Sequence, residues 1–234
     1  MSTEERIAAL DWARIENELD ERGWATTGSL LTANERHSTI GFYYDDDRFR
    51  NTVVMARHGF GRGEYRYFAR PLPPLIGSLR AALYERLVAV ANRWRARLGQ
   101  GGPLPACHSD YLQQCHAAGQ RRPTPLILRY GPGDHNCLHQ DLYGELSFPL
   151  QAAFLLTDLS DFEGGEVVLT EQRPRMQTRV RVVPLQAGEA VIFAVNHRPV
   201  QGTKGTYRVT MRHGVSPVRS GSRHTLGIIL HDAA

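Results

Sequence analysis

The stretch that decides the fold of this chain is Arg129-Tyr-Gly-Pro-Gly-Asp-His-Asn-Cys-Leu-His-Gln-Asp141. A strand-like run from Pro125 leads into it, and Gly131–Asp134 has the composition of a turn. Residues two positions apart share one face of a strand but not one face of a helix. The sequence therefore predicts that His139 and Asp141 project together from one strand.

A second stretch far downstream, His213-Gly-Val-Ser-Pro-Val-Arg-Ser-Gly-Ser-Arg223, supplies another histidine and an arginine. Two histidines and one carboxylate on one face of a metal form the ligand set of non-haem Fe(II) sites, in which further positions stay open. We therefore predict that His139, Asp141 and His213 hold one metal ion. The pattern alone leaves a zinc site and a structural histidine cluster as alternatives.

Arg223, at the end of this stretch, begins a β-like run, Arg223-His-Thr-Leu-Gly-Ile-Ile-Leu230. On a strand, Arg223 and Thr225 point the same way. A guanidinium can hold a carboxylate through two parallel hydrogen bonds, and a neighbouring hydroxyl adds another. Taken alone, Arg223 reads as an ordinary surface arginine. Its position behind a metal-ligand candidate instead predicts a pocket for the far carboxylate of a dicarboxylate co-substrate.

Two other histidine phrases compete for the metal. His108-Ser-Asp110 repeats the triplet, but it stands in a stretch typical of helix or loop, and we interpret it as surface. His197 also precedes an arginine, Arg208, and could be the distal ligand. We prefer His213 because the phrase Val-x-x-Val-x-x-Gly-x-Arg-x-Thr follows it in full, and we expect His197 at the rim of the site or on the surface.

The composition bounds the class of protein. A chain of 234 residues can bury a core as a single domain spanning 1–234, and its net charge of +4 permits an anionic partner without demanding one. Its three cysteines are odd in number and lack Cys-x-x-Cys spacing, which favours a reducing compartment over a disulfide framework. With no apolar leader and no apolar run long enough for a bilayer, we expect a cytoplasmic protein without a membrane partner.

The texture of the chain changes near Pro125. Residues 1–124 look helix-rich, with a capping box at Ser2–Glu5 and a long helix across Leu75–Leu98. Beyond them, the chain breaks into short β-rich runs: Ala152–Thr157, Glu166–Thr170, Arg179–Val183, Ala190–Phe193, Tyr207–Met211 and Leu226–Leu230. Many short strands separated by turns predict a sandwich or barrel, so the expected fold class is α+β.

At these residues the chain resembles the 2-oxoglutarate/Fe(II)-dependent dioxygenase superfamily, whose pattern is His-x-Asp, a distal His and Arg-x-Ser/Thr. The resemblance implies a double-stranded β-helix (jelly-roll) core over residues 125–234, buttressed by N-terminal helices. Gly188–Phe193 is similar to the strand that precedes the distal histidine in that superfamily. The implied site residues are the catalytic metal ligands His139, Asp141 and His213, and the co-substrate residues Arg223, Thr225 and Tyr130.

The same resemblance implies a reaction. Fe(II), 2-oxoglutarate and O₂ would be the cofactor and co-substrates of a dioxygenase that releases succinate and CO₂ while oxidising a substrate C–H bond. The iron supplies the oxidation, and the protein orients the substrate and excludes side reactions.

A possible substrate lid lies at residues 48–70, which carry six arginines against one acid, with aromatic residues interleaved. This composition suits phosphate contact and base stacking, and equally a solvated strand pair with buried aromatic faces. The phrase Arg57–Tyr67 resembles the nucleotide-recognition lid of AlkB-type demethylases, and the chain resembles a bacterial AlkB-like group described as acting on damaged DNA. The implied function is oxidative demethylation of alkylated nucleic acid in DNA repair, with the lid residues Arg57, Arg62, Tyr65 and Tyr67 at the substrate.

Two departures keep an alternative open. AlkB-type enzymes carry a second arginine six residues after the first, and this chain has Ile229 there. Asp161-Phe-Glu-Gly-Gly-Glu166 resembles the prolyl-hydroxylase branch of the superfamily. The alternative is therefore a prolyl-hydroxylase-like enzyme acting on a peptide or small molecule.

Overall fold

The computed structural model describes residues 1–234, with five α-helices and fifteen β-strands. The helices are α1 (Thr3–Ala8), α2 (Trp12–Arg22), α3 (Ala33–Phe42), α4 (Pro74–Leu98) and α5 (His108–Ala117). The strands are β1 (Trp24–Ser29), β2 (Phe49–Val54), β3 (Gly61–Arg62), β4 (Glu64–Phe68), β5 (Leu126–Tyr130), β6 (His135–His139), β7 (Leu150–Leu155), β8 (Phe162–Gly164), β9 (Val167–Gln172), β10 (Arg179–Val183), β11 (Glu189–Ala194), β12 (His197–Gly202), β13 (Gly205–Val215), β14 (Val218–Gly221) and β15 (Arg223–Ile229).

Local sequence explains the helix ends. The predicted capping box at the start of α1 is confirmed: the Ser2 hydroxyl accepts from the Glu5 amide and the Glu5 carboxylate accepts from the Ser2 amide. The long predicted helix is confirmed as α4, which begins at Pro74, where a missing N–H costs nothing. It ends at Leu98, and the Gly99 that follows adopts a φ of +65°, which suits glycine.

The strands form two facing antiparallel sheets. The seven-stranded major sheet has the order β1-β11-β7-β15-β5-β4-β2. The minor sheet has the order β10-β9-β13-β6-β3, with β12 paired to β13, and β14 with β8 forms a separate ribbon. This arrangement confirms the expected α+β fold with a double-stranded β-helix core.

The alternation along β15 shows how the sheet separates the apolar core from the site. Leu226 and Ile228 face outward into a cluster of 33 buried apolar residues that α4 shares through Leu83, Leu87 and Trp94. The alternate positions of β15 face the cavity between the sheets: Arg223, Thr225, Gly227 and Ile229. The helices therefore cover the outer face of the major sheet, and its inner face is left for the site.

The N-terminal region, residues 1–124, contains all five helices and also contributes four strands to the sheets. β1 pairs with β11 at one edge of the major sheet, and β2 and β4 extend the other edge from β5. β3 crosses to the minor sheet and pairs with β6, Gly61 opposite Asn136 and Arg62 opposite His135. β3 is only two residues long and is defined by its pairing partner, whereas β4 alternates charged Glu64 and Arg66 with cavity-facing Tyr65 and Tyr67.

The cysteines and the helices bear on two further expectations. Cys107, Cys115 and Cys137 are all free thiols, as expected for a chain without a disulfide framework. None of the helices has the length and apolar character needed to cross a membrane.

Candidate metal centre and co-substrate pocket

A cavity of about 320 Å³ lies between the two sheets. Its major-sheet wall includes Leu128, Gln151 and Ile229, and its minor-sheet wall includes Val167 and Val215. Most of its lining residues are apolar, and a few polar groups converge on it, as in binding sites for small molecules.

The three sequence-predicted ligands meet in this cavity. His213 on β13 pairs directly with His139, the last residue of β6, and Asp141 lies just beyond that strand. The His213 Nε2 atom is 3.1 Å from Asp141 Oδ2, and His139 Nε2 is 3.5 Å from Asp141 Oδ1. Their potential ligand atoms all lie within 4.8 Å of one another, so the cluster could hold a metal ion.

Hydrogen bonds orient the first half of this cluster. His139 Nδ1 lies 2.8 Å from the Cys137 carbonyl oxygen and donates to it, which turns the Nε2 atom toward Asp141. Gln140 points the opposite way and donates to the Met211 carbonyl at 2.8 Å. The two neighbours of Gln140 are thereby held toward the cavity.

Two residues that the sequence analysis missed bind the Asp141 carboxylate. The Tyr143 hydroxyl donates to Oδ1 at 2.5 Å, and the Gln151 amide donates to Oδ2 at 2.7 Å. A polar side chain inside the apolar run of β7 was a signal for Gln151, since buried polar groups ordinarily have a specific partner.

The cluster is electrostatically suited to a cation. Burial opposes ionisation of Asp141, but the neighbouring histidines outweigh it and hold the pKa of its carboxyl well below the usual range. Burial lowers the pKa of His139, but hydrogen bonding to Asp141 and its charge raise that pKa overall. Burial and the nearby His139 lower the pKa of His213. A buried carboxylate is therefore ionised beside two imidazoles.

An unpaired cation faces the same cavity. Arg223 is 2% exposed, and its Nε and Nη1 atoms have no hydrogen-bond partner. Burial lowers its pKa to about 10, so it remains charged at neutral pH. The Tyr130 hydroxyl, directly across the strand pair, is also buried without a partner, and Thr225 is nearby on the same face. These orphaned donors fit the carboxylate of an anionic ligand, so the donor set fits Fe(II) with 2-oxoglutarate.

Gly165 makes room for this arginine. It adopts a φ of +63°, and a Cβ atom there would lie 2.7 Å from Arg223 Cδ. The phrase Asp161–Glu166 therefore has a local role in this chain: its glycine allows close approach to the buried guanidinium.

The competing histidines lie elsewhere. His108 begins α5 and is buried, 3.0 Å from the Leu230 carbonyl oxygen, so the expectation that it lies on the surface was wrong. The helix α5 places the His108 ring against the C-terminal segment of the chain. Asp110, in contrast, is exposed. His197 is half-buried on β12 and lines a separate depression beside Tyr111.

The predicted lid uses most of its arginines internally, in four contacts: Arg48 with Asp45 at 2.8 Å, Arg50 with the Pro123 carbonyl at 3.0 Å, Arg66 with Asp46 at 2.5 Å and Arg70 with Asp232 at 2.5 Å. Arg57 is exposed without such a contact. Arg62 is 63% exposed and lies 3.8 Å from Asp134. Arg57 and Arg62 are therefore the two arginines of the segment without a close ion pair or hydrogen bond.

The aromatic residues of the segment are partly buried in the cavity wall and partly exposed at its rim. Tyr65 and Tyr67 line the cavity, but Tyr67 is 7% exposed and Arg50 lies 4.4 Å above its ring. The exposed aromatic at the rim is Phe60, which stacks on His58 and which the sequence analysis did not select. Leu138, also half exposed, completes an apolar rim with Phe60.

Comparisons with known proteins agree with this geometry. The family model Oxygenase-NA, described as an oxygenase catalysing oxidative methylation of damaged DNA, matches residues 63–233. Uncharacterized proteins from two strains of Mycobacterium tuberculosis are 48% identical over 168 residues, covering 71% of this chain and 72% of theirs.

Solved structures share the fold at low sequence identity. A prolyl-4-hydroxylase from Pseudomonas putida aligns with a TM-score of 0.54 and 15% identity, covering 92% of this chain and 96% of its own. A 2OG-Fe(II) oxygenase family oxidoreductase from Burkholderia pseudomallei aligns with a TM-score of 0.55 and 16% identity, covering 95% and 93%. A prolyl hydroxylase from Trichoplax adhaerens, solved with a hypoxia-inducible-factor peptide, aligns at 0.56 and 14%, covering 95% and 89%.

Proposed function

The chain belongs to the Oxygenase-NA family, and from that premise we propose that it is a 2-oxoglutarate- and Fe(II)-dependent dioxygenase that demethylates alkylated bases in DNA repair. The observation that carries the oxygenase assignment is one cavity containing both the His139–Asp141–His213 cluster and the unpaired Arg223 guanidinium. A structural metal site has no use for a buried, unpartnered arginine beside it.

The proposal assigns a role to each group in the cavity. His139, Asp141 and His213 would hold Fe(II), and Arg223 with Tyr130 and Thr225 would hold the far carboxylate of 2-oxoglutarate. When bound, Fe(II) would supply the coupled oxidation, in which one atom of O₂ enters succinate and the other enters the substrate C–H bond. Leu128, Val215 and Ile229 surround these groups with apolar surface, which limits water and the side reactions it permits.

The substrate part of the proposal rests on the family and on the rim. Phe60 and Leu138 offer exposed apolar surface next to the mouth, where an unstacked base could lie against an aromatic ring. Arg57 is exposed on the same segment, and Arg62 is 63% exposed with only a 3.8 Å contact to Asp134, so both could contact phosphate. Oxidation of an N-methyl group gives an N-hydroxymethyl group, which releases formaldehyde and restores the base N–H.

The first experiment tests turnover. Succinate formation from 2-oxoglutarate is measured with methylated single-stranded DNA, methylated duplex DNA, proline-containing peptides and free amino acids. We expect stimulation by methylated DNA with release of formaldehyde. Stimulation by a peptide or amino acid alone would replace the nucleic-acid assignment with the hydroxylase alternative that the Asp161–Glu166 phrase suggested.

The second experiment tests the residues. Alanine substitutions of His139, Asp141 and His213 should each abolish metal binding and 2-oxoglutarate decarboxylation. His197→Ala is the matched control, because this histidine lies on β12 outside the cavity wall. Loss of metal in His197→Ala with retention in His213→Ala would refute the ligand assignment.

The third experiment tests the rim. Phosphate contacts release counterions, so affinity for single-stranded DNA should fall as salt rises, and Arg57→Gln with Arg62→Gln should flatten that dependence. Phe60→Ala should weaken binding by about 1–3 kcal/mol, the usual range for one stacked base, without loss of metal. Binding that ignores both salt and Phe60 would contradict the proposed interface.

A further inference from the structure

We propose that Tyr143 and Gln151 are positioning residues that set the orientation of the Asp141 carboxylate for the metal. This inference rests on the proposed function, because it assumes that Asp141 is a ligand. The observation behind it is that each carboxylate oxygen receives its own hydrogen bond from a neutral side chain, at 2.5 Å from Tyr143 and 2.7 Å from Gln151.

Tyr143 is itself held in place. Its ring meets Tyr67 edge-on, with centroids 6.2 Å apart, and lies 6.0 Å from the His231 ring. Arg50 covers the face of Tyr67 at 4.4 Å, so Tyr67 cannot move easily to release its neighbour. Tyr143 lies in the connection between β6 and β7, and these aromatic contacts hold its phenol against Asp141 Oδ1.

Gln151 approaches from the opposite sheet. It lies on β7, 5% exposed, between Phe193 of β11 and Ile229 of β15 in the strand register. A carboxylate only accepts hydrogen bonds, so the amide nitrogen must be the atom that faces Asp141. The Gln151 Oε1 atom is buried without a partner, and the amide nitrogen lies 2.7 Å from Asp141 Oδ2 and 3.3 Å from His213 Nε2, so the shorter contact of this side chain is its bond to Asp141.

The two bonds together have a chemical consequence. Each carboxylate oxygen has two lone pairs, so one remains free on each after the hydrogen bonds form. Neutral donors fix the plane of the carboxylate without cancelling its charge. The ligand is thus oriented before the metal arrives, which reduces the ordering needed on binding.

The experiment uses Co(II) as a spectroscopic substitute for the metal, without turnover. Tyr143→Phe removes one hydroxyl and keeps the ring, and we expect Co(II) affinity to fall about 10–100-fold, the usual effect of losing a partner of a metal ligand. The ligand-field absorption of the saturated Co(II) form should also change, which a purely structural role would not cause. Tyr111→Phe is the matched control, because this tyrosine is also buried and its hydroxyl lies outside the cavity.

A second variant covers the other oxygen. Gln151→Met keeps the length of the side chain but cannot donate, and it should weaken Co(II) binding in the same range, with far-UV circular dichroism unchanged. Wild-type affinity and spectrum in both variants would overturn the positioning role while leaving the metal centre intact. Failure of the unmodified protein to bind Co(II) would overturn the metal centre and this inference together.

Discussion

Replacing Arg223 by methionine should stabilise the ligand-free protein and abolish co-substrate binding at the same time. Arg223 is buried without a hydrogen-bond partner on Nε and Nη1, and burial lowers its pKa from 12.5 to about 10. A shift of that size corresponds to about 3 kcal/mol of unfavourable free energy for the charged form. Methionine fills much of the same space with no charge to desolvate.

Part of this cost is offset in the native protein. The guanidinium carbon lies 5.6 Å from the Tyr130 ring and 5.8 Å from the Phe162 ring. Such contacts contribute about 0.5–1 kcal/mol each, and methionine would lose their electrostatic part. The expected net gain in the free energy of unfolding is therefore about 1–2 kcal/mol, or a rise in Tm of roughly 2–8 °C for a chain of this size.

The assay is thermal unfolding with and without 2-oxoglutarate in the presence of Mn(II). At a concentration of 100 times its Kd, 2-oxoglutarate should stabilise the unmodified protein by about 2.7 kcal/mol, and Arg223→Met should lose this increment. Arg223→Lys keeps the charge but not the planar fork, so it should gain no stability and bind 2-oxoglutarate more weakly.

The matched control is another buried arginine that does have a partner. Arg198 is 1% exposed and its Nη2 atom lies 2.6 Å from Glu171, which also pairs with Arg173 at 2.5 Å, so Arg198→Met should destabilise the fold rather than stabilise it. If Arg223→Met is destabilised as much as Arg198→Met, or keeps its response to 2-oxoglutarate, the account of Arg223 as an unpaired ligand-binding cation is refuted.

Three further outcomes are expected. Protons compete with the metal for His139, whose pKa is raised, so Mn(II) affinity should fall as pH drops through a value above the ordinary histidine pKa of about 6.5, and a flat titration between pH 8 and 6 would contradict this. Burial lowers the pKa of His108 to about 4, so as pH falls this histidine is protonated in the unfolded chain before it is protonated in the folded protein. Stability should therefore fall by about 3 kcal/mol between pH 6.5 and pH 4 because of this residue. The free energy of unfolding in urea should depend less on pH in His108→Gln than in the unmodified protein. Gly165→Ala would bring a Cβ to 2.7 Å from Arg223 Cδ and should weaken 2-oxoglutarate binding. The control is Gly28→Ala, because Gly28 has a φ of +77° with nothing within 4 Å, so this variant should show only backbone strain. Equal losses of 2-oxoglutarate binding in the two variants would contradict the steric argument.

The core strands and the His-x-Asp part of the candidate metal cluster could be predicted because their signals are local. Apolar residues alternating with Arg223 and Thr225 indicated the strand β15, and His-x-Asp beside a turn indicated the end of β6. The structure brings His139 and His213 into direct register, a pairing that no local pattern contained. Only their shared chemistry suggested that they would meet.

The supporting residues were harder to predict. Tyr143 follows Asp141 by two positions, but a tyrosine at that spacing has no distinctive meaning until the chain is folded. The arginine-rich segment shows the converse problem, because composition indicates charge without indicating partners. Arg66 and Arg70 bind aspartates of this same chain, so their charges are largely used within the fold.

The segment around β3 has a consequence for how a ligand enters. β2 and β4 belong to the major sheet while β3 pairs with the minor sheet, so residues 49–68 tie the two sheets together beside the mouth. The two strands approach closely, since a Cβ on Gly61 would clash with the His135 carbonyl oxygen. Because the segment is paired to both sheets, we expect the cavity opening to keep its width when a ligand enters. Ligands would then be selected at this opening by their shape, and larger ligands could enter only if the short β3–β6 pairing were broken.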